Sequence, residues 1–415
     1  MEKVLGKNYE GLKVVDFTRV LAGPYLTMML CDNGAEVIKI ERPGTGADER
    51  AFEPHRKGVN GTQSGYYMML NRGKKSITLD LNTPEAKEIV YQFVSKADLV
   101  VENFAPGVMK KLGFDYETLK EYKPDIIMCS ISTFGQEGPL SKRPGYDIIA
   151  QASSGLMWMT GDIDRSPQRS GTSIADTNAS THALGAIGAA LYYRNKTGKG
   201  QYIDISMRDC LSAVLETAII RYTISNGEDK PMRSGSHHAT MGPYGVYKAG
   251  DQKYVILAVL NPKQWTALTS AMGRPELDQD PRFATVSDRA KNIKEMVRII
   301  EEWMQTFDDL QELLHILDAY KVPTAPVLNI EQVVNDEQYL MRNNLVEVED
   351  PIFGKVKLPT TPMIFSETTV HNPVAPPLLG GNTEEVLKNV LNMPDEKIEE
   401  LRAKNVFGEQ LFNNL

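Results

Sequence analysis

The sequence has only three cysteines, Cys31, Cys129 and Cys210, and they are widely separated. They form no C-x-x-C pair, so the sequence indicates neither a disulfide framework nor a zinc site. We expect all three to be reduced thiols that serve as packing residues. The histidines and acidic residues also lack the spacing typical of metal ligands, and the sequence therefore predicts no metal site.

The sequence also has fewer basic than acidic residues. It contains 46 Lys and Arg residues and 54 Asp and Glu residues, which gives a formal net charge of −8. A general nucleic-acid binder needs a basic face, so this class of protein is disfavoured. No hydrophobic run approaches the length of a membrane span, and the first residues contain no apolar segment of secretory length. The sequence predicts a cytoplasmic protein that binds neither a nucleic acid nor a membrane.

The dinucleotide fingerprint G-x-G-x-x-G is missing from the turn where it would be expected. Residues 13–17 and 36–41 have the pattern of buried strands on either side of a helix over 24–33, and this unit predicts a parallel sheet. The turn after the first strand is T-R-V-L-A-G-P (18–24), which disfavours a nicotinamide-dependent dehydrogenase. Strands and helices alternate through 126–133, and they predict a doubly wound α/β domain with a mostly parallel sheet.

The chain of 415 residues exceeds the usual size of one domain. A polar stretch broken by Gly and Pro at 226–236 marks a boundary. We expect residues 1–225 to form the N-terminal part of a large domain and residues 226–325 to form a smaller α+β domain. Residues 326–415 are expected to return and complete the large domain.

The sequence also predicts the local structure of several individual segments. The sequence predicts an irregular loop at 43–65, single helices over 209–225, 290–317 and 330–342, a crossing linker at 321–328, and a hairpin within 347–359.

One stretch, 145–207, contains a feature that packing alone explains poorly. Asp176 stands shortly before a run of small and apolar residues with helical character, 183–193. Unpaired N–H groups and the macrodipole favour negative charge near a helix N-terminus. The local pattern favours an N-cap, and the alternative is a carboxylate that is held ionised to act as a nucleophile.

Sequence segments from most of the chain occur together in a recognisable order. They are G-L-K-V-V-D-F-T-R-V-L-A-G-P (11–24), G-A-E-V-I-K-I-E-R-P-G (34–44), A-D-L-V-V-E-N-F-A-P-G (97–107), G-Y-D-I-I-A-Q-A-S-S-G-L-M (145–157), the Asp176 segment, K-T-G-K-G-Q-Y-I-D-I-S-M (196–207), V-P-T-A-P-V (322–327) and P-L-L-G-G-N-T (377–383). Together they resemble the class III CoA-transferases, the family of formyl-CoA:oxalate and carnitine CoA-transferases.

The resemblance implies that Asp176 is a catalytic aspartate. It would attack an acyl-CoA thioester to form a mixed anhydride, and the released CoA thiolate would then convert the anhydride into an aspartyl-CoA thioester. We expect this carboxylate to be charged at pH 7 without a base. Backbone N–H groups of the glycine-rich segments 241–245 or 378–381 are candidate donors to the oxyanions.

The resemblance also implies a binding site for coenzyme A and an oligomeric state. Matching positions assign CoA contacts to Leu21, Ala22, Arg42, Leu79, Asn103, Phe104, Lys111 and Tyr146. The CoA thioester would be a substrate, with no permanently bound cofactor and with a free carboxylic acid as second substrate. The family further implies a homodimer whose two chains are threaded through one another like linked rings.

Two departures from the family pattern narrow the function. The segment R-S-G-S-H-H-A-T-M-G-P-Y-G (233–245) lacks the glycine run of formyl-CoA:oxalate enzymes, so oxalate is in doubt as the acceptor. The related 2-methylacyl-CoA racemases use a His in a G-H-D motif, whereas this chain has Tyr146, a poor proton shuttle near neutrality. His237 and His238 fit a polar surface loop better. A racemase and a non-catalytic CoA-binding protein remain as alternatives to the transferase.

Overall fold

The computed structural model describes residues 6–58, 61–251, 253–370 and 372–408. Its strands are β1 (Lys13–Asp16), β2 (Glu36–Glu41), β3 (His55–Gly58), β4 (Gly61–Ser64), β5 (Lys75–Thr78), β6 (Leu99–Glu102), β7 (Ile127–Ser132), β8 (Tyr202–Ser206), β9 (Tyr244–Lys248), β10 (Tyr254–Ala258), β11 (Thr324–Pro326), β12 (Leu345–Asp350) and β13 (Gly354–Pro359).

The α-helices are α1 (Ala22–Asp32), α2 (Gly65–Asn71), α3 (Pro84–Lys96), α4 (Val108–Leu112), α5 (Tyr116–Tyr122), α6 (Asp147–Ser154), α7 (Leu156–Met159), α8 (Ile174–Thr197), α9 (Met207–Ala213), α10 (Ala218–Ile224), α11 (Pro262–Ala271), α12 (Val286–Lys291), α13 (Ile293–Met304), α14 (Leu310–Ala319), α15 (Ile330–Val334), α16 (Glu337–Met341), α17 (Thr383–Leu391) and α18 (Asp395–Ala403). Two 3₁₀ turns, Asp48–Ala51 and Pro275–Asp278, complete these elements.

The chain divides into two compact units. The larger unit comprises Met1–Ser154, Gly171–Leu215 and Glu337–Leu415, and the smaller one comprises Gly155–Ser170 and Glu216–Asp336. The smaller unit thus takes in a short insertion from before α8, which the composition of the sequence does not mark.

A six-stranded sheet with the order β5-β2-β1-β6-β7-β8 forms the centre of the larger unit, and all of its neighbouring strands are parallel. Strands β6 and β7 are buried along their whole length, as expected for a parallel sheet that helices cover on both faces. Helices α3, α5, α17 and α18 contribute to one apolar core against the sheet. The predicted doubly wound α/β architecture is confirmed.

The strand order reverses between β1 and β6, because β2 and β5 extend the sheet on one side of β1 while β6, β7 and β8 extend it on the other. Ligands of open α/β sheets bind in the crevice outside the carboxyl ends of the strands at such a switch point. The segments that follow β1 and β6 therefore bound the expected binding crevice. Helix α1 continues the first of these segments and packs against α8.

The smaller unit has a three-stranded antiparallel sheet of order β11-β10-β9 with helices packed against it. Its core contains Tyr247, Leu257, Trp265, Leu268 and Ile300. The predicted crossing linker at 321–328 is wrong in part, because β11 pairs with β10 through Ala325 and Ile256.

The prediction of an irregular loop at 43–65 is also wrong. This segment contains the 3₁₀ turn Asp48–Ala51 and the antiparallel hairpin of β3 and β4. Its polar side chains find partners inside the fold, as when buried Gln63 donates to Asp350 Oδ2 at 3.0 Å. The polar and charged residues that suggest a loop in the sequence therefore form hydrogen bonds inside the fold.

Three predicted helices are each interrupted. The segment 209–225 contains α9 and α10, with Glu216 between them at a φ of 48°. The segment 290–317 is divided among α12, α13 and α14, and the Asp309 side chain caps α14. The segment 330–342 holds α15 and α16. The predicted hairpin within 347–359 is confirmed as β12 and β13.

In the part of the chain that the structure describes, no helix combines the length and the apolar character that crossing a bilayer requires.

Candidate active site

Asp176 lies in the first turn of α8, as the third residue of that helix. The prediction that it forms the N-cap is wrong, because the helix begins at Ile174 and Ser173 occupies the cap position without a side-chain hydrogen bond. Sequence pattern places the start too late, since the run of small residues from 183 is only the middle of a 24-residue helix. The Asp176 side chain therefore does not cap the helix.

The cap is supplied by Asp147, from the first turn of α6. Its Oδ1 atom accepts hydrogen bonds from the N–H groups of Ala175 at 2.7 Å and Asp176 at 3.4 Å. Its Oδ2 atom accepts from Gln151 Nε2 at 2.6 Å. Asp147 thus satisfies N–H groups that a helix start leaves unpaired, and it fixes the backbone that carries Asp176.

Two opposing effects act on the Asp176 carboxyl. The N-terminus of α8 favours its charged form, but burial and the nearby Asp147 carboxylate disfavour it. Burial and Asp147 prevail, in that order, and they raise the pKa of Asp176 to about 7. This raised pKa runs against the expectation of a fully charged carboxylate at pH 7, because the protonated form is also populated near neutrality.

A cavity of about 500 Å³, here called the aspartate cavity, opens beside Asp176. Its walls come from the segments after β1, β6 and β7 and from the segment that leads into α6. Six of the sequence-predicted residues line it, namely Leu21, Ala22, Asn103, Phe104, Tyr146 and Asp176. The structure thus brings the predicted nucleophile and most of the predicted CoA contacts to one place at the sheet's switch point.

A second cavity, of about 540 Å³, is lined by Arg42, Leu79 and Phe104 among others. Arg19 and Phe104 line both cavities, so the two are neighbours in the larger unit. Lys111 lines neither of them, although Val108 and Leu112 on the same short helix line the second one. Lys111 is exposed on α4.

Several predicted residues already have partners. The Asn103 amide donates to Arg19 O at 2.7 Å and accepts from Arg19 N at 2.9 Å, so it holds the turn after β1. The Arg42 guanidinium pairs with Asp48, which also pairs with Arg19 at 3.3 Å. Tyr146 is 70% exposed, and Leu79 is buried. Asn103 therefore shapes the crevice through the backbone of Arg19.

The segment 378–381 is a poor source of oxyanion donors. The N–H of Gly380 donates to Ser76 Oγ at 2.9 Å, and the N–H of Gly381 donates to Leu378 O at 3.0 Å. Both groups are thus used within the fold. The N–H groups of Ala22 and Gly23 at the start of α1, where Ala22 lines the aspartate cavity, have no partner within their helix. Pro24 follows them and has no N–H, and the Tyr25 N–H donates to Leu21 O at 2.8 Å.

Sequence reasoning missed four residues of this site. Asp147 stands in the G-Y-D segment (145–147), directly after the Tyr146 that distinguishes this chain from the racemases. Tyr66 lies close enough to Asp176 for that carboxylate, after burial itself, to help raise the pKa of the phenol to about 12. Lys142 and Arg143, both exposed, add positive charge to the wall of the aspartate cavity. No local signal in the sequence connects Tyr66 with Asp176.

Among the described residues, no group of three or more His, Cys, Asp and Glu side chains is arranged to hold a metal ion. The three cysteines are free and buried.

Comparison with known proteins gives a consistent result. The sequence profile of CoA-transferase family III matches residues 9–383. The human succinyl-CoA:glutarate CoA-transferase is 37% identical over 403 residues, which cover 97% of this chain and 90% of the human protein. The acetyl-CoA:oxalate CoA-transferase of Acetobacter aceti is 40% identical over 362 residues, which cover 86% of this chain and 89% of that protein.

Solved structures agree with the sequence comparison. The crystal structure of a CAIB/BAIF family protein from Brucella suis superposes with a TM-score of 0.82 at 36% identity, covering 92% of this chain and 98% of the other. The protein is therefore an enzyme that transfers CoA between an acyl-CoA and an acid. The chain belongs to CoA-transferase family III.

Proposed function

We propose that Asp176 is the nucleophile of this transferase and that it carries first the acyl group and then CoA. One observation carries the proposal: Asp176 is a partly buried carboxyl group in the wall of a cavity at the sheet's switch point. Its pKa of about 7 leaves a large fraction ionised near neutrality and makes the carboxylate more basic than an exposed one.

The exchange proceeds in balanced steps. An Asp176 carboxylate oxygen attacks the thioester carbonyl carbon, the C–S bond breaks, and CoA leaves as a thiolate. The thiolate attacks the side-chain carbonyl carbon of the resulting anhydride, and the donor acid leaves as a carboxylate with an aspartyl-CoA thioester left behind. The acceptor carboxylate then repeats these steps in reverse, and Asp176 is regenerated.

Each tetrahedral intermediate carries negative charge on the former carbonyl oxygen. The N–H groups of Ala22 and Gly23 at the start of α1 are suited to stabilise this oxyanion because they lack partners within the helix. The phenol of Tyr66 stays protonated, since its pKa is raised to about 12, and it is available as a further donor.

We assign the nucleotide end of CoA to the second cavity. Leu79 and Phe104 offer apolar surface there, and Arg42 offers a cation at the end of β2. Lys111 stays a predicted phosphate contact at the margin of this cavity. The pantetheine arm would then pass Phe104, which lines both cavities, to bring the thioester to Asp176.

We infer that the acids exchanged are short dicarboxylates. Relatives named for succinyl-CoA with glutarate, and for succinyl-CoA with mesaconate in Haloarcula hispanica, are each 37% identical to this chain. Lys142 and Arg143 in the wall of the aspartate cavity suit the second carboxylate of such a substrate. The relative named for acetyl-CoA and oxalate keeps oxalate among the acceptors to be tested.

The test is a matrix of acyl-CoA donors and free acids, followed by mass spectrometry of both products. Succinyl-CoA with glutarate or mesaconate should give the new thioester and free succinate in equal amounts, whereas monocarboxylic acids of equal length should react more slowly. A chiral 2-methylacyl-CoA incubated without an acid should keep its configuration. Epimerisation without exchange would establish the racemase alternative.

The homodimer and the cytoplasmic location stay predictions from the sequence. Large apolar side chains that are more than 40% exposed support the dimer. They include Ile148, Ile149, Tyr192 and Tyr193 on the larger unit and Ile219, Ile220, Tyr222 and Ile224 on the smaller one. Exposed large apolar side chains are common at subunit interfaces.

A further inference from the structure

The turn after β1, residues 18–21, has an unusual backbone conformation. Val20 has a φ of 70°, in the left-handed region that residues with a side chain avoid and that β-branched residues avoid most. Val20 also lines the aspartate cavity, together with Asp176. A strained residue in the wall of a reaction site persists only where its surroundings hold it in place.

Three side chains hold this turn by its N–H groups. The N–H of Thr18 donates to Asp16 Oδ1 at 2.7 Å, and the N–H of Arg19 donates to Asn103 Oδ1 at 2.9 Å. The N–H of Val20 donates to Glu49 Oε2 at 2.9 Å. The strained residue thus depends on a carboxylate that the 3₁₀ turn Asp48–Ala51 supplies.

Glu49 is itself fixed at both of its oxygens. Its Oε1 atom forms an ion pair with Lys39 Nζ at 3.0 Å, and neither side chain has any exposed surface. Lys39 Nζ also donates to the carbonyl oxygen of Thr18 at 2.8 Å, so the same pair holds a second point of the turn. Asn71 Nδ2 donates to the same Oε1 atom at 3.4 Å.

We propose that Glu49 is a positioning residue that clamps Val20 in the left-handed conformation. This clamp keeps the turn after β1, and with it the first N–H groups of α1, against the reacting carbonyl group. The inference rests on the proposed function, because its kinetic effect is expressed in the acylation of Asp176. Glu49 acts through Val20 and touches no substrate.

The pair of substitutions Glu49→Asp and Val20→Gly tests the clamp. Aspartate keeps the charge that Lys39 needs, but its shorter side chain cannot reach both Lys39 and the Val20 N–H. Glycine adopts a φ of 70° without strain, so it should no longer need the clamp. Glu49→Asp alone should lower the rate of Asp176 acylation about ten-fold, while CoA affinity changes less than about three-fold.

Adding Val20→Gly to Glu49→Asp should restore most of the lost rate, measured relative to the rate of the Val20→Gly variant alone. Asp32→Asn is the matched control, because Asp32 belongs to another fully buried ion pair of the same unit, with Arg72, and lines neither cavity. Val20→Gly should not improve the Asp32→Asn variant. The clamp would be overturned if Val20→Gly failed to restore the rate of the Glu49→Asp variant. It would also be overturned if Val20→Gly raised the rate of the Asp32→Asn control by the same factor.

Amide hydrogen exchange gives a readout that does not depend on turnover. In the wild-type protein the amides of Thr18, Arg19 and Val20 should exchange slowly, and Glu49→Asp should accelerate exchange of the Val20 amide. Fast exchange of the Val20 amide in the wild type would contradict the clamp even if the variant failed to fold. If the wild type transferred no CoA while Val20 stayed protected, the proposed function would fail and the clamp would stand.

Discussion

At the scale of single residues, the central feature is a carboxyl group whose surroundings make it basic. Burial and the Asp147 carboxylate together outweigh the helix N-terminus and raise the pKa of Asp176 to about 7. A more basic carboxylate is a better nucleophile, but its proton has to leave before it attacks. The same surroundings therefore strengthen the nucleophile and make it sensitive to pH.

This gives a kinetic prediction. The single-turnover rate of Asp176 acylation should rise with pH through about 7 and level off above it, because only the carboxylate attacks. Asp147→Asn removes the neighbouring negative charge and should move this rise to lower pH, while Asn still caps α8. Stopped-flow measurements at saturating acyl-CoA check both profiles. An unchanged or upward-shifted profile in the variant would contradict the assigned cause.

The same carboxyl group makes a prediction for stability. Its pKa is raised on folding from the ordinary value of 3.8 to about 7, so the folded state binds the proton more tightly. Stability from this group is complete below about pH 4 and is lost as pH rises through about 7. Relative to Asp176→Asn, the wild type should lose up to about 4 kcal/mol of unfolding free energy over this range. Denaturant titrations of both proteins measure it, and a difference that is flat with pH would refute it.

At the scale of elements, the start of α8 depends on a residue 28 positions earlier in the chain. Asp147 accepts from Ala175 N and Asp176 N, so α6 and α8 are joined at the point where the nucleophile sits. Local sequence suggests Asp176 as the cap because long-range capping leaves no local trace. The true cap stands in the G-Y-D segment instead.

The capping contact can be tested separately from the charge. Asp147→Ala removes the acceptor and should lower the unfolding free energy by about 1–2 kcal/mol. Asp147→Asn keeps an acceptor oxygen and should lower it by only a few tenths of a kcal/mol. Amide exchange of the peptide that contains Ala175 should accelerate in the Ala variant alone. Equal losses in the two variants would show that the charge of Asp147, rather than its capping bond, stabilises the helix.

Elements that a local pattern specifies agree with their predictions. Strand β2 has the predicted bounds, and β1 and α1 differ from theirs by at most two residues, because apolar strand runs are visible locally. Interruptions set by tertiary packing were missed, as at Glu216 between α9 and α10. The hairpin of β3 and β4 was missed because its side chains are polar and find buried partners only in the folded chain.

At the scale of the whole molecule, apolar surface on both units supports the predicted homodimer. Multi-angle light scattering at assay concentrations should give about twice the 46.3 kDa of one chain. Dilution should not release an active monomer if the chains are interlocked. A folded monomer that retains full transfer activity would contradict this prediction.

The site was predictable in part for a physical reason. The first turn after β1, the end of β6 and Asp176 are continuous motifs, and parallel strands bring their carboxyl ends together. Most predicted contacts accordingly meet in one cavity. Tyr66, Lys142 and Arg143 were missed because only the folded chain brings them to Asp176. The roles of Asn103 and Glu49 in holding a turn likewise depend on hydrogen bonds that no motif encodes.

The most direct test of the account is to trap the proposed covalent intermediate. The wild-type enzyme is mixed with succinyl-CoA and hydroxylamine, digested, and searched for a hydroxamate by peptide mass, with Asp176→Asn and Asp176→Glu as matched variants. We predict a hydroxamate at Asp176 in the wild type, and in both variants no hydroxamate and a loss of transfer of roughly 10⁴-fold or more with CoA binding retained. An unmodified Asp176 in the wild type, together with an active Asp176→Asn variant, would contradict the mechanism.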